Sequence, residues 1–425
     1  MNVTTTKTGA AEVRFIKDSR FKSALFTVNL LLPLKKETVT QNAMAAALLT
    51  ECSADYPTQR DLSVKLMSIY GAKLASSSDK LGSYQMLTFV LRSLDSEYGI
   101  GGEDCLLEGL DLLYGCLTKP HLDENGVFCK EDVERVRRRH CDRIRAAMND
   151  KRVYAKERCT EIMYKDEPFG IPETGYLETA ENVTAEELTE AYRSFFENAE
   201  VHIGFVGNSL PKSAEKFALL FKNGNHTVLP NPKTAVEKPQ KVTERLGITQ
   251  GKLVMGFRHS VTGGDRETYV NMVMADMLGG GPYSLLFNNV REKMGLCYYC
   301  SAGINRQFGS MLIQSGIDDI NAEKAYNAIL GQIEKLKNGD FDDSLLEYSK
   351  KGIIDSLGGV TDSAASMDLW YELRCLQKDP VSPEELTELI KTVTKEQVTK
   401  SAAGLKLDTA YFLLGKENDS DEANV

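Results

Sequence analysis

The chain has 425 residues, 42% hydrophobic and 26% charged, with 51 basic against 61 acidic side chains and a net charge of −10. That length exceeds one ordinary core and predicts two or more domains, while the acidic balance argues against a nucleic-acid partner. No apolar run reaches the roughly 18 residues of a membrane span, and the polar start from Met1 to Val13 lacks a signal peptide's apolar core. Nine scattered cysteines, an odd number, suit reduced thiols better than a disulfide framework. A soluble, multi-domain, cytoplasmic protein is expected, with neither nucleic acid nor membrane as partner.

In chain order, the apolar run from Ala24 to Leu32 reads as a strand. Helical periodicity follows from Gln41 to Ala47 and extends towards Cys52. Strands are expected around residues 73–92, and a long charged helix over Glu131 to Ala147. Thr184 is an N-cap with Glu187 three residues on to close a capping box, and the helix leads to the strand His202 to Gly207. The polar stretch Asn223 to Thr243, with Pro230, Pro232 and Pro239, reads as a linker.

The second half repeats these signals at an offset of roughly 200 residues. A strand over Lys252 to Phe257 precedes a helix over Thr268 to Leu278 and strands around 298–316. A helix over Ser344 to Leu357 comes next, then Thr394 with Gln397 as a second capping box, then the strand Ala410 to Gly415. Asn125-Gly126-Val127-Phe128 and Asn338-Gly339-Asp340-Phe341 hold equivalent places. The expected fold class is α+β: duplicated α/β-sandwich domains, each with a mainly antiparallel sheet packed by helices. The expected division is a first domain over 1–222, a linker over 223–243, a second domain over 244–416 and a disordered acidic tail over 417–425.

The chemistry concentrates in one stretch, Leu278 to Tyr299, which contains Gly279-Gly280-Gly281, Ser284, Leu286-Phe287, Val290-Arg291-Glu292-Lys293 and Tyr298. A guanidinium such as that of Arg291 holds a carbonyl or carboxylate in a fixed fork. A phenol such as that of Tyr298 donates to an oxyanion. This stretch resembles the substrate-binding segment of the pitrilysin/insulinase-type zinc metallopeptidases, whose metal site is an inverted His-x-x-Glu-His motif. Tyr154-Ala155, Asp166 to Gly170 and Gly175 add to the resemblance, which covers nearly the whole chain. No His-x-x-Glu-His occurs in the sequence. By position, Ala43 and Ala47 stand where the family has its two histidines, and Ala46 where it has the general base. The register of the Glu131 to Ala147 helix places Asp142 or Arg143 where the third ligand is expected. His121, His140, His202, His226 and His259 are too far apart for a helical ligand pair and are expected as scattered surface or half-buried residues.

The resemblance implies a LuxS/mitochondrial-processing-peptidase-like fold and a non-catalytic member of the two-domain bacterial branch. It also implies a clamshell heterodimer with a zinc-bearing peptidase homologue. That partner would carry the zinc, this chain no cofactor or metal, and Arg291 and Tyr298 would bind and orient a peptide substrate, in peptide or protein maturation. A peptide-binding or scaffold homodimer with no proteolytic role is the alternative. Weaker signals have plainer expectations. Cys297 and Cys300 would point to opposite faces of a strand. Gly279 to Gly281 lacks a P-loop's ending and reads as a helix-to-helix turn. Arg135, Arg137, Arg138 and Arg139 read as a solvated face, with a chamber wall that attracts acidic peptides as the alternative, and Trp370 as core.

Overall fold

The computed structural model describes residues 2–222, 233–259, 268–377 and 380–416. The expected tail, residues 223–232 of the expected linker and His226 lie outside the described residues. The chain forms two compact units, Met1–Ala146 with Ile171–Val228 and Val360–Leu376, and Ala147–Gly170 with Leu229–Gly359 and Gln377–Val425.

The first unit holds strands β1 (Asn2–Thr8), β2 (Ala11–Lys17), β3 (Ser23–Pro33), β4 (Lys73–Leu81), β5 (Tyr84–Leu94) and β6 (Glu200–Gly207) in the order β1-β2-β6-β3-β5-β4. Nine consecutive residues of β3 are buried because the sheet is covered on both faces, which is why this strand reads as an unbroken apolar run. Phe26, Val28 and Leu30 point into the main core with Met44, Leu48, Leu110, Leu188 and Phe195 of the helices Val39–Leu48, Cys105–Thr118 and Ala185–Asn198. Leu25 points the other way and packs with Ile16, Val206, Ala364 and Met367, the last two from the helix Ala364–Glu372.

The second unit holds β7 (Gln240–Leu246), β8 (Gly251–Arg258), β9 (Cys297–Asn305), β10 (Ser310–Ile317) and β11 (Lys406–Gly415) in the order β7-β11-β8-β10-β9. One face is covered by the helix Lys151–Met163, whose Ala155 and Cys159 pack with Val254, Tyr411 and Leu413. The order matches β2-β6-β3-β5-β4 strand for strand, and within these two five-strand sets β2-β6 and β7-β11 are parallel and the other pairs antiparallel. Both expected capping boxes form, at Thr184–Glu187 and Thr394–Gln397. Gly126 and Gly339 repeat a left-handed turn, with φ of 73° and 69°, where only glycine is unstrained.

The units depart from a simple cut at the linker. Residues 240–243 of the expected linker begin β7. Each sheet also takes one covering helix from the other half of the sequence: Ala364–Glu372 belongs to the first unit and Lys151–Met163 to the second. Buried polar contacts fix the first of these helices. Arg14 Nη2 donates to Glu372 Oε2 at 2.6 Å, His202 Nδ1 lies 3.0 Å from Glu372 Oε1, and Thr27 Oγ1 donates to Asp368 Oδ2 at 2.8 Å. Gly204 makes the approach possible, since a Cβ there would meet Asp368 Oδ1 at 2.0 Å. Propensity does not announce such an exchange, because it gives each helix no choice between the two sheets.

Candidate functional site

The stretch expected to replace the metal motif folds as the helix Val39–Leu48. Ala43 and Ala47, four residues apart, share a helix face and line a cavity of about 320 Å³ together with Thr50, Glu51, Ser76, Ser77, Ser78, Arg139, His140 and Arg143. Ala46 does not line it; its methyl is buried in the main core. Of the two candidates at the third-ligand position, Arg143 faces the cavity and Asp142 is an exposed partner of Arg145 at 3.4 Å. The residues present do not fit zinc: two methyl groups offer no lone pair, and the opposite wall carries cations where a metal site needs anions or neutral imidazoles. No hydrolytic step can be derived from this chain's own cavity.

The arginine run is the expected solvated face in part, with Arg138 and Arg139 exposed, but it also carries ion pairs. Arg135 Nε donates to Glu51 Oε2 at 3.0 Å, Arg139 pairs with Glu51 Oε1, and Arg137 pairs with Glu134 and donates to the Val183 carbonyl. The histidines differ too, since His140, His202 and His259 are each under 5% exposed. Burial pushes His140 and His259 below the ordinary imidazole value, with Arg143 adding to the effect at His140. Two sets of ligand-type side chains do converge within 4.8 Å: Cys52, His121 and Asp132, and His202, Glu372 and Cys375. In each the carboxylate already meets a guanidinium, Arg135 to Asp132 at 2.7 Å and Arg14 to Glu372 at 2.6 Å, so the positive charge an ion would bring is already supplied.

Arg291 and Tyr298 lie in the second unit on two backbone irregularities. Arg291 sits in the last turn of a π-helical segment, Leu286–Lys293, where Met294 N donates to the Asn289 carbonyl five residues back at 3.1 Å. Its guanidinium lies 4.5 Å from the Phe287 ring centroid and its side chain is 39% exposed. Tyr298 is the extra residue of a β-bulge: Ile317 pairs with Cys297 and Gly316 with Tyr299, leaving Tyr298 unpaired. It is 55% exposed and its hydroxyl donates to Asp318 Oδ1 at 2.7 Å, which raises its pKa. π-segments and bulges both concentrate next to functional sites, where they re-aim a side chain.

The same bulge corrects the reading of Cys297 and Cys300. A regular strand would set them on opposite faces, but the extra residue turns both buried thiols together, where they hydrogen-bond to each other and to Ser315. The bond to Cys300 holds the Cys297 thiol below its ordinary value, with Ser315 and the Arg291 charge helping, and Cys300 is pushed up. The glycine run is a helix end rather than a cradle: a Cβ on Gly279 would meet the Ala302 amide nitrogen at 2.4 Å, so glycine lets the helix Thr268–Gly279 lie against β9.

The family model described as the peptidase M16 inactive domain matches residues 182–353, a span that contains Arg291 and Tyr298. The chain is 29% identical over 427 residues, 99% of both chains, to the "Probable inactive metalloprotease YmfF" of Bacillus subtilis (strain 168). This chain is similar to the M16 peptidase inactive domain over residues 182–353 and to YmfF over nearly its whole length. The chain is also 24% identical to the "Uncharacterized zinc protease YmxG" of Bacillus subtilis (strain 168), across 67% of its own length and 68% of that protein's. Two solved structures share its fold: a conserved protein from Enterococcus faecalis V583 (TM-score 0.91, 24% identity, 99% and 100% of the two chains) and a peptidase M16 inactive domain from Pseudomonas fluorescens (TM-score 0.79, 19% identity, 98% and 99%). The description of these relatives as inactive supports a chain without peptidase activity of its own, and Ala43, Ala46 and Ala47 carry methyl groups where the resemblance expects the metal ligands and the base. Among its described residues no helix is long and apolar enough to cross a membrane.

Proposed function

We propose that this chain is the substrate-handling subunit of a cytoplasmic zinc-peptidase heterodimer. A partner homologue supplies the metal, the water and the general base, and this chain binds and orients the peptide. The observation that carries the reading is the contrast between its two candidate sites. The metal-ligand positions have become Ala43 and Ala47, whereas Arg291 and Tyr298 are kept, half-exposed or exposed, on a π-segment and a bulge. A scaffold subunit would need neither irregularity.

In this reading the Arg291 guanidinium holds a peptide carbonyl or carboxylate in its fork. The Tyr298 hydroxyl turns from Asp318 and donates to the oxyanion that forms at the scissile carbonyl. The hydroxyl is solvent-exposed, so water can take its place on Asp318 when it turns to the substrate. The peptide lies extended along a sheet edge; β4 and β9 are each the last strand of their sheets. The test is a peptidase assay on this chain, on the zinc-motif homologue from the same genome, and on the two mixed. Hydrolysis by the mixture well above either component alone is expected. Full activity of the homologue by itself would remove the substrate-handling role.

A further inference from the structure

We propose that the cavity over Ala43 and Ala47 is a carboxylate-binding site that takes one acidic side chain or the free C-terminus of a peptide laid along β4. The proposal rests on the reading that this chain handles peptides, but it concerns the first unit alone and asks nothing of Arg291 or of a partner.

The charges of the lining carry the inference. Arg139 and Arg143 face one carboxylate, Glu51. Glu51 is already met on one oxygen by Arg135 and on the other by Arg139. Arg143 has no ion pair or hydrogen bond among the described residues. His140, held neutral by burial, has its Nε2 2.8 Å from the Thr174 carbonyl and asks for no anion. The wall therefore carries an uncompensated guanidinium in a recess, on a chain whose net charge is −10. A concave site with excess charge of one sign concentrates the opposite ion, and a guanidinium fork matches a carboxylate in shape and charge. One unpaired guanidinium balances one negative charge, which favours a carboxylate over a dianionic phosphate. Where the metal-bearing arrangement would hold a cation, this cavity is built for an anion.

The second observation is the strand beside it. Ser76, Ser77 and Ser78 of β4 line the cavity, and β4 is the edge of its sheet. Ser78 Oγ donates to the Glu173 carbonyl at 2.6 Å and Lys80 Nζ to the Ile171 carbonyl at 3.1 Å, so the far end of β4 is covered. The stretch from Lys73 to Ser77 pairs with β5 alone, and its outer amides and carbonyls can receive an extended peptide. At about 3.3 Å per residue that stretch spans about 17 Å, long enough to hold a peptide while one of its carboxylates enters the cavity.

Fluorescence anisotropy with this chain alone tests the proposal. Three fluorescein-labelled nonapeptides of Val, Thr and Ala are used: one with a central Asp and an amidated C-terminus, one with a central Asn and a free C-terminus, and one with Asn and the amide. At least one carboxylate-bearing peptide is expected to bind about tenfold or more tighter than the uncharged one, and the peptide that does so identifies the source. Arg143→Gln, at an exposed position that leaves the Glu51 pairs intact, is expected to abolish most of that preference, and 0.5 M NaCl to weaken it. Equal binding of all three, binding of none, or an undiminished preference in Arg143→Gln would each overturn the proposal. None of these readouts depends on hydrolysis, so the cavity and the heterodimer can fail separately.

Discussion

Replacing Glu372 by Gln keeps the shape of the residue that ties the helix Ala364–Glu372 to its sheet and removes only its charge. In the folded chain the side chain is buried between Arg14 and His202. Burial alone would raise its pKa, but the His202 and Arg14 charges outweigh that and hold it at about 2, against 4.5 for a free glutamate. Each factor of ten in ionisation is about 1.4 kcal/mol, so the ionised Glu372 contributes about 3 kcal/mol near neutral pH, in line with the cost of breaking a buried ion pair. A depressed acid gives its full contribution above its unfolded pKa and loses it as pH falls from there through its folded pKa. The window thus runs from about pH 5 down to about 2. His202 is raised well above its ordinary value by the same attraction, which is counted once. Its own linkage has the opposite sign, present at low pH and lost as pH rises through the folded value. Removing Glu372 also lets Asp368, pushed up by burial and by Glu372, ionise against Arg14 at 3.6 Å; this offsets part of the loss and makes about 3 kcal/mol an upper figure. Trp370, the single tryptophan, sits in the same helix with the Arg374 guanidinium 3.3 Å from its ring centroid, so urea unfolding followed by its fluorescence reads this helix directly. Glu372→Gln is expected to unfold at clearly lower urea at pH 7, with the difference shrinking towards pH 3. A midpoint equal to wild type at pH 7, or a deficit that grows on acidification, would refute the reasoning.

Gly204→Ala places a methyl 2.0 Å from Asp368 Oδ1 and 2.4 Å from Thr27 Oγ1; the overpacking is expected to cost about 1–3 kcal/mol, measured by the same tryptophan signal. Iodoacetamide at pH 8 is expected to modify Cys297 before Cys300, because only the former has a lowered pKa; peptide mass mapping that finds the reverse order would contradict the bulge geometry. In the mixture with the zinc-bearing homologue, Tyr298→Phe is expected to lower kcat by about 100-fold while leaving KM within a few-fold, as loss of one oxyanion donor does.

Much of the fold is legible in the sequence because burial pattern and capping are local. The apolar run of β3, the two Thr-capped helices and the repeated Asn-Gly turns each carry their own signal, and the repeat follows from their order. The exchange of helices is not legible, since nothing in Ala364–Glu372 says which sheet its apolar face will cover. The buried contacts of Arg14, His202 and Thr27 with Glu372 and Asp368, the first pair 358 residues apart, reveal it. The candidate site divides the same way. Ala43 and Ala47 take a shared face from their spacing, whereas the burial of Ala46 depends on the neighbouring core. The bulge at Tyr298 is a matter of pairing register, so alternation along β9 gave the wrong faces for Cys297 and Cys300. Arg143 stands out in the sequence only as a member of a charged helix; its lack of a partner among the described residues emerges once Glu51 is seen to occupy Arg135 and Arg139.

The central claim is that Arg291 completes the active site of a zinc-bearing partner. The direct measurement is hydrolysis of a peptide library by that partner mixed with wild-type chain or with Arg291→Ala, while complex formation is followed by sedimentation. The account predicts an intact complex whose kcat/KM falls by about 100-fold or more with Arg291→Ala. Equal hydrolysis in the two mixtures, with the complex formed in both, would contradict it.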